Sequence, residues 1–259
     1  RFMLWGRLGY DLTLTRDYFE KRLKRRFPEA DSALLYDTWA ASSRIIPQVN
    51  RFFFRVNDLQ FAPEGCMSKS GFLTVDESFF KFPPLQGSGI LSVQEYAAAV
   101  RTDMPFEGIT PIDVAKGLDE FAKQTLDGVN ILRQQAIGQE ELLSTLVDFE
   151  AMAYLGRYYA DKIRGAAELA VYRQDSSMKD AHERAIQHLS NAVSEWEAYA
   201  KTATSQYTPQ LFSRTHYMDW WKILDDVKKE LQTVRNEKPS EENRLKAMPK
   251  NLEKVHKSS

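Results

Sequence analysis

The stretch "QEELLSTLVDFEAMAYLGRYYADKIRGAAELAVYR" constrains the fold more than any other part of the chain. Its apolar and small residues fall at Leu142, Leu146, Phe149, Ala153, Gly156, Ala160, Ile163 and Ala167. The spacing alternates between four and three, which is one face of an α-helix and has no strand equivalent. At a rise of about 1.5 Å per residue the helix would be roughly 50 Å long. A stripe of that length is buried only if other helices run beside it. Ala153, Gly156 and Ala160 in its middle permit close approach of a partner helix. That partner is either another helix of the chain or a second copy, so a homodimer is one expected partner.

The remaining sequence offers such helices. "TRDYFEKRLKRRF" places Tyr18, Phe19, Leu23 and Phe27 on one face, with acids early and bases late, as the helix dipole favours. Pro28 fits the first turn of a second helix, which Pro47 should kink or end. Ser92 and Glu95 have capping-box spacing, and Thr110 with Pro111 reads as a cap followed by the first helical residue. Val114, Leu118, Phe121, Thr125, Val129, Leu132 and Ala136 form a third stripe. Ala185, Leu189, Ala192, Trp196 and Tyr199 form a fourth, and Met218, Trp221, Leu224, Val227, Leu231 and Val234 a fifth. Residues 56–90 hold no sustained period but are rich in Gly, Pro, Ser and Phe, and their phenylalanines are expected to seal one end of the bundle. The prediction is an all-α bundle of long antiparallel helices, with a short strand-like segment at the N-terminus and a long irregular loop.

Composition narrows the function. The formal charge is −1, so no basic excess points to nucleic acid or to an anionic membrane. The apolar runs are short of the ~20 residues a membrane span needs. Cys66 stands alone, which excludes an intrachain disulfide. No secretory leader is visible. The compartment is therefore open: periplasmic or secreted if the protein degrades polysaccharide, otherwise cytoplasmic.

Chemistry-bearing motifs are sparse. The histidines, His182, His188, His216 and His256, have no metal-ligand spacing, and no phosphate-binding loop or nucleophile elbow occurs. A di-metal bundle would need repeated Glu-x-x-His pairs, and none is present. No catalytic residue, metal or cofactor is expected. Glu150 adjoins the apolar stripe and should pair with Arg157 or with a neighbouring helix. Tryptophans and tyrosines suit either a core or a sugar-stacking surface, and the stripes favour core positions for Trp39, Trp196 and Trp221.

The first residues carry the remaining information. Phe2, Met3, Leu4 and Trp5 form a dense apolar run without an initiating methionine, followed by "GRLGYDLTLTRDYFEKRLKRRF". The segment resembles the junction of the α-glucuronidase family of glycoside hydrolases, where a (β/α)₈ barrel ends in a Gly-Arg-Leu-Ala-Trp-Asp-like run and leads into a helical C-terminal domain. Gly6, Arg7, Leu8, Gly9, Tyr10 and Asp11 match that syntax, with Gly9 for Ala and Tyr10 for Trp. Thr13, Leu14 and Thr15 stand where the family has a Pro-x-Leu-Ser run, so the proline is missing. "QYTPQLFSRTHYMDWWKIL" also looks like a segment of large bacterial polysaccharide-degrading proteins of this architecture.

The resemblance implies three parts: residues 1–12 as the remnant of an upstream barrel exit, 13–236 as a helical domain and 237–259 as a polar tail. It implies that the catalytic carboxylates lie upstream, and that the expected partners are that barrel and an oligosaccharide. Arg7, Tyr10 and Asp11 are the candidate substrate-binding residues. Flanked by Trp5 and Leu8, Arg7 is expected to be held by its neighbours, with its fork on a carboxylate. The acceptor is either a uronic-acid substrate or a domain-interface group, the second being favoured. The expected function is a helical domain supporting a glycoside hydrolase barrel and inactive by itself. The alternative is a stand-alone scaffold, oligomerisation or carbohydrate-binding module.

Overall fold

The computed structural model describes residues 7, 11–53, 61–85, 87–212 and 216–249. The long stripe becomes α6 (Glu140–Gln174), around which the other elements are arranged: α1 (Arg16–Arg26), α2 (Ser32–Ser43), α3 (Ile45–Phe52), α4 (Val93–Thr102), α5 (Pro111–Gln135), α7 (Lys179–Ala203), α8 (Trp220–Arg235) and α9 (Glu241–Ala247). Short turns reverse the chain on either side of α6. Arg133 meets Glu150 and Asp119 meets Arg164, so α5 runs antiparallel to it. Glu168 meets Arg184 and Asp161 meets His188, so α7 does too. His182 bonds the Val234 carbonyl while Trp196 bonds that of Trp220, which sets α8 antiparallel to α7. The architecture is mostly all-α, as the stripes predict.

Local chemistry fixes the helix starts. Ser92 and Glu95 form a capping box on α4, and Thr110 with Asp113 form another on α5, where Pro111 fills the first turn. Asp31 accepts from the backbone of Ala33 and Leu34 at 3.0 and 3.1 Å. The second helix thus begins at Ser32, and Pro28 lies in the preceding turn. Pro47 breaks the run as expected, because its missing N–H would have bonded the Ser43 carbonyl. The break falls at Arg44, and Pro47 sits in the first turn of α3, where a missing N–H removes no intrahelical bond.

The small-residue stripe of α6 is consumed inside the chain. Ala153 and Ala160 are buried, and a Cβ on Gly156 would lie 3.1 Å from Ile45 Cδ1. That face is covered by α3 and so is not open to a second copy. The aromatic segment packs as expected. Phe53 contacts Phe61, Phe79 and Phe82 with ring centroids 4.8, 5.9 and 5.8 Å away, and Phe52 meets Phe79 at 5.1 Å. It carries a two-residue hairpin that the sequence pattern hides, β1 (Met67–Ser68) with β2 (Gly71–Phe72). A second hairpin, β3 (Gln210–Phe212) with β4 (His216–Met218), leads into α8.

Two expectations are corrected. Trp221 is half exposed, whereas Trp220 is buried. Asp219 caps α8 at Trp221 N and Lys222 N, and the helix then runs inward through Trp220, Leu224, Val227, Leu231 and Val234. Trp39 is also partly exposed, edging onto Phe149 at 5.5 Å. Within the polar tail, α9 is docked by a fully buried Ala247 whose carbonyl accepts from Gln174 at 2.7 Å.

Candidate functional site

The N-terminal junction is only partly described. Tyr10, Gly6, Leu8, Gly9 and the strand-like Phe2–Trp5 lie outside the described residues. Arg7 is helical and exposed, and Trp5 and Leu8, the neighbours expected to hold its side chain, lie outside the described residues. Its carbonyl accepts from Asp11 N at 2.9 Å. Asp11 is exposed, and its Oδ1 accepts from the hydroxyl and backbone N–H of Thr13 at 2.6 and 2.9 Å. Those two bonds, the side-chain one first, hold its carboxyl below the usual range. Its visible role is to turn the chain toward α1, and no described contact joins the Arg7 and Asp11 side chains.

The strongest electrostatics lie elsewhere, at two buried charges on α6. Lys162 is fully buried; its Nζ donates to Glu230 Oε2 at 2.8 Å, to the Leu73 carbonyl at 2.8 Å and to Tyr158 Oη at 3.1 Å. It also lies 4.3 Å from the Phe72 ring centre. Glu230 Oε1 accepts from Val75 N at 2.6 Å. One ion pair therefore ties α6, α8 and the aromatic segment together. Burial, with the nearby Cys66 and other acidic groups adding, pushes the Tyr158 and Tyr159 phenols well above their ordinary range.

Near the end of α6, Arg173 binds Glu237 through two nitrogens at 2.8 Å each and Asp76 at 2.5 and 3.2 Å, with Phe80 4.6 Å beneath its guanidinium. Burial opposes its charge, but the Glu237 and Asp76 bonds raise its pKa further than burial lowers it. An open cleft of about 350 Å³ lies beside it, lined by Arg173, Gln174, Glu237, Ser240, Glu241 and Arg244. Both acids on Arg173 are engaged, so the cleft offers Arg173 as a spent charge.

The outward face joining α5, α6 and α7 is a ladder of ion pairs. Arg133 binds Glu150 at 2.6 Å, Arg184 binds Glu168 at 2.8 Å, Arg164 binds Asp119, and His188 Nδ1 lies 3.1 Å from Asp161. Glu150 thus pairs with the neighbouring helix, one of the two partners its position suggests. His182 bonds a backbone carbonyl at 2.8 Å and stacks on Tyr172. Glu195, on the same face, is the one carboxyl among the described residues that is pushed upward, chiefly by burial and against the pull of Arg157. It does not line the cleft. Among the described residues no group of three or more His, Cys, Asp or Glu is placed to hold a metal ion, and no helix is long and apolar enough to cross a membrane.

Sequence reasoning passed over Lys162, Arg173 and Glu230. A signal was present for Glu230: it sits in Val227, Glu230, Leu231, Val234, at the core spacing of its helix. Lys162 and Arg173 lie in stretches otherwise dense in small and apolar residues, where a charge needs a partner.

No known family model matches the chain, and no curated protein does. Solved structures do. A GH138 enzyme targeting pectin rhamnogalacturonan II is similar over 89% of this chain, with a TM-score of 0.69 at 14% identity. The match covers 36% of that enzyme, so the chain corresponds to about a third of its length. At this identity the likeness is one of fold.

Proposed function

We propose that this chain is the helical domain of a glycoside hydrolase acting on uronic-acid-containing or related polysaccharides, and that it supports a catalytic barrel of the same polypeptide. The observation that carries the reading is the extent of the fold likeness: nearly the whole bundle aligns with part of one polysaccharide-degrading enzyme. The junction-like run Gly6–Asp11, at the start of the bundle, adds to it. The α-glucuronidase resemblance rests on that short run alone, and the pectin-type substrate class comes from the structural neighbour.

In this reading the chain holds the barrel and does no chemistry. A glycosidase places two carboxyl groups about 5–10 Å apart across a sugar. Here Glu150, Glu168, Asp119, Glu230 and Glu237 are all tied to cations, and Asp161 lies between His188 and the Arg164 guanidinium. Arg7 and Asp11, with Tyr10, remain the proposed contact points with barrel or substrate. The test is release of sugar from rhamnogalacturonan-type pectin and from glucuronosyl oligosaccharides. The natural polypeptide carrying this domain is expected to release sugar and the purified 259-residue chain is not. Turnover by the chain alone would refute the proposal.

A further inference from the structure

Helix α1 concentrates a charge that the rest of the chain lacks. Its six cations and two acids give it a formal charge of +4, so the remainder of a chain with net charge −1 carries −5. Phe19 and Leu23 bury one side of the helix. With 3.6 residues per turn, Lys21 and Arg25 stand on the opposite side, and Tyr18 and Arg22 flank them. Lys21, Lys24 and Arg25 are exposed. Arg16 is paired with Glu20 and Asp37, and Arg26 with Glu141. Lys21 and Arg25 make no ion pair among the described residues. Asp17 lies at the edge of the same face.

Helix-dipole compensation accounts for Lys24, Arg25 and Arg26 in the last turn. It does not account for Lys21 and Arg22, which are mid-helix. Arg22 is also pre-oriented. Its guanidinium lies 5.5 Å from the centre of the Tyr18 ring, which is itself braced edge-on by Phe19 at 5.3 Å. Its Nε and Nη2 each donate to Tyr18 Oη at 3.3 Å, which fixes the guanidinium and leaves its Nη1 side to meet a carboxylate. Lys21 and Arg25 are about 6 Å apart along the axis, a single row of cations with an aromatic ring beside it.

We propose that the outward face of α1, formed by Tyr18, Lys21, Arg22 and Arg25, binds a uronate-bearing polysaccharide chain. The inference takes its substrate class from the proposed function and rests on it to that extent. Duplex nucleic acid is a poorer match. It presents one charge per ~1.7 Å and is held by broad basic surfaces, whereas this row is narrow and the rest of the chain is net acidic.

The experiment is native electrophoresis of the purified chain in gels containing polygalacturonate, an uncharged polysaccharide or duplex DNA at matched charge. Polygalacturonate alone is expected to retard the chain, and less so as salt rises and screening sets in. The double variant Lys21→Glu, Arg25→Glu should bind about tenfold more weakly, the scale of losing two exposed ion pairs and gaining repulsion. Its melting temperature should stay unchanged, because both residues are exposed. Lys21→Arg with Arg25→Lys should retain binding. Three results would overturn the inference: no retardation of the wild-type chain, equal retardation of the Glu variant, or equal retardation by DNA. No retardation of the wild-type chain, alongside sugar release by the natural polypeptide, would overturn this inference alone. Binding without sugar release would overturn only the proposed function.

Discussion

Glu230→Ala tests the central tie of the bundle. Glu230 holds two groups at once: the Lys162 ammonium at 2.8 Å and the Val75 N–H at 2.6 Å. Removing the carboxylate leaves Lys162 buried with only the Leu73 carbonyl and Tyr158 hydroxyl as partners. Breaking one partner of a buried pair costs about 3–5 kcal/mol. The orphaned Val75 N–H is worth about 1–3 kcal/mol by itself, but the two losses share one cavity and will not add in full. A total near 4 kcal/mol follows, and for a domain of this size about 8–15 °C in melting temperature. Differential scanning calorimetry at pH 7 measures it. The double variant Lys162→Met, Glu230→Gln removes both charges while the Gln oxygen still faces Val75 N–H. It should recover most of the loss, since apolar replacement of a whole buried pair is often neutral. A shift below about 2 °C for Glu230→Ala, or a double variant no more stable than the single, would refute the reasoning.

Other outcomes follow from the same geometry. Gly128→Ala should destabilise by about 1–3 kcal/mol in urea titration, as overpacking does, because the new Cβ would sit 2.0 Å from Thr38 Oγ1 and 3.0 Å from Thr38 Cβ. Gly117→Ala should instead stabilise by up to about 1 kcal/mol through helix propensity, since its Cβ meets only the flexible Gln48 Nε2 at 3.3 Å. Tyr158, Tyr159 and Tyr199 have folded pKa values raised by burial above the unfolded value of 10.0. Their contribution is complete below that pH and lost above it, so tyrosinate absorbance of these three should rise together with alkaline unfolding. Glu195 is likewise raised, by burial; its ionised form is disfavoured in the fold, so Glu195→Gln should raise the melting temperature at pH 7 and give no gain at pH 3, where both states are protonated.

The long helices were legible because their burial is periodic. Leu142 through Ala167 and Val114 through Leu132 need no knowledge of their neighbours to be read as helical faces, and the Ser92–Glu95 and Thr110–Asp113 caps announce two starts. What the pattern could not resolve was phase and partnership. Trp220 and Trp221 are equally apolar and stand four and three residues before Leu224, so local spacing admits either; only the phase of the whole stripe, through Val227, Leu231 and Val234, turns Trp220 inward. The hairpins are two or three residues long, too short to show alternation. The small-residue stripe signals close approach, but whether Ile45 of the same chain or a second copy fills it depends on the path of α3. The buried charges escaped for a similar reason: Lys162 and Glu230 are 68 residues apart, and nothing local joins them.

The supporting role is tested most directly by removing the bundle from its natural polypeptide. The measurement is the thermal half-life and kcat/KM of pectin hydrolysis for the intact polypeptide and for a version ending before residue 13. The account predicts that the shortened protein loses solubility or thermal half-life along with activity. Unchanged half-life and unchanged kcat/KM without residues 13–259 would contradict it.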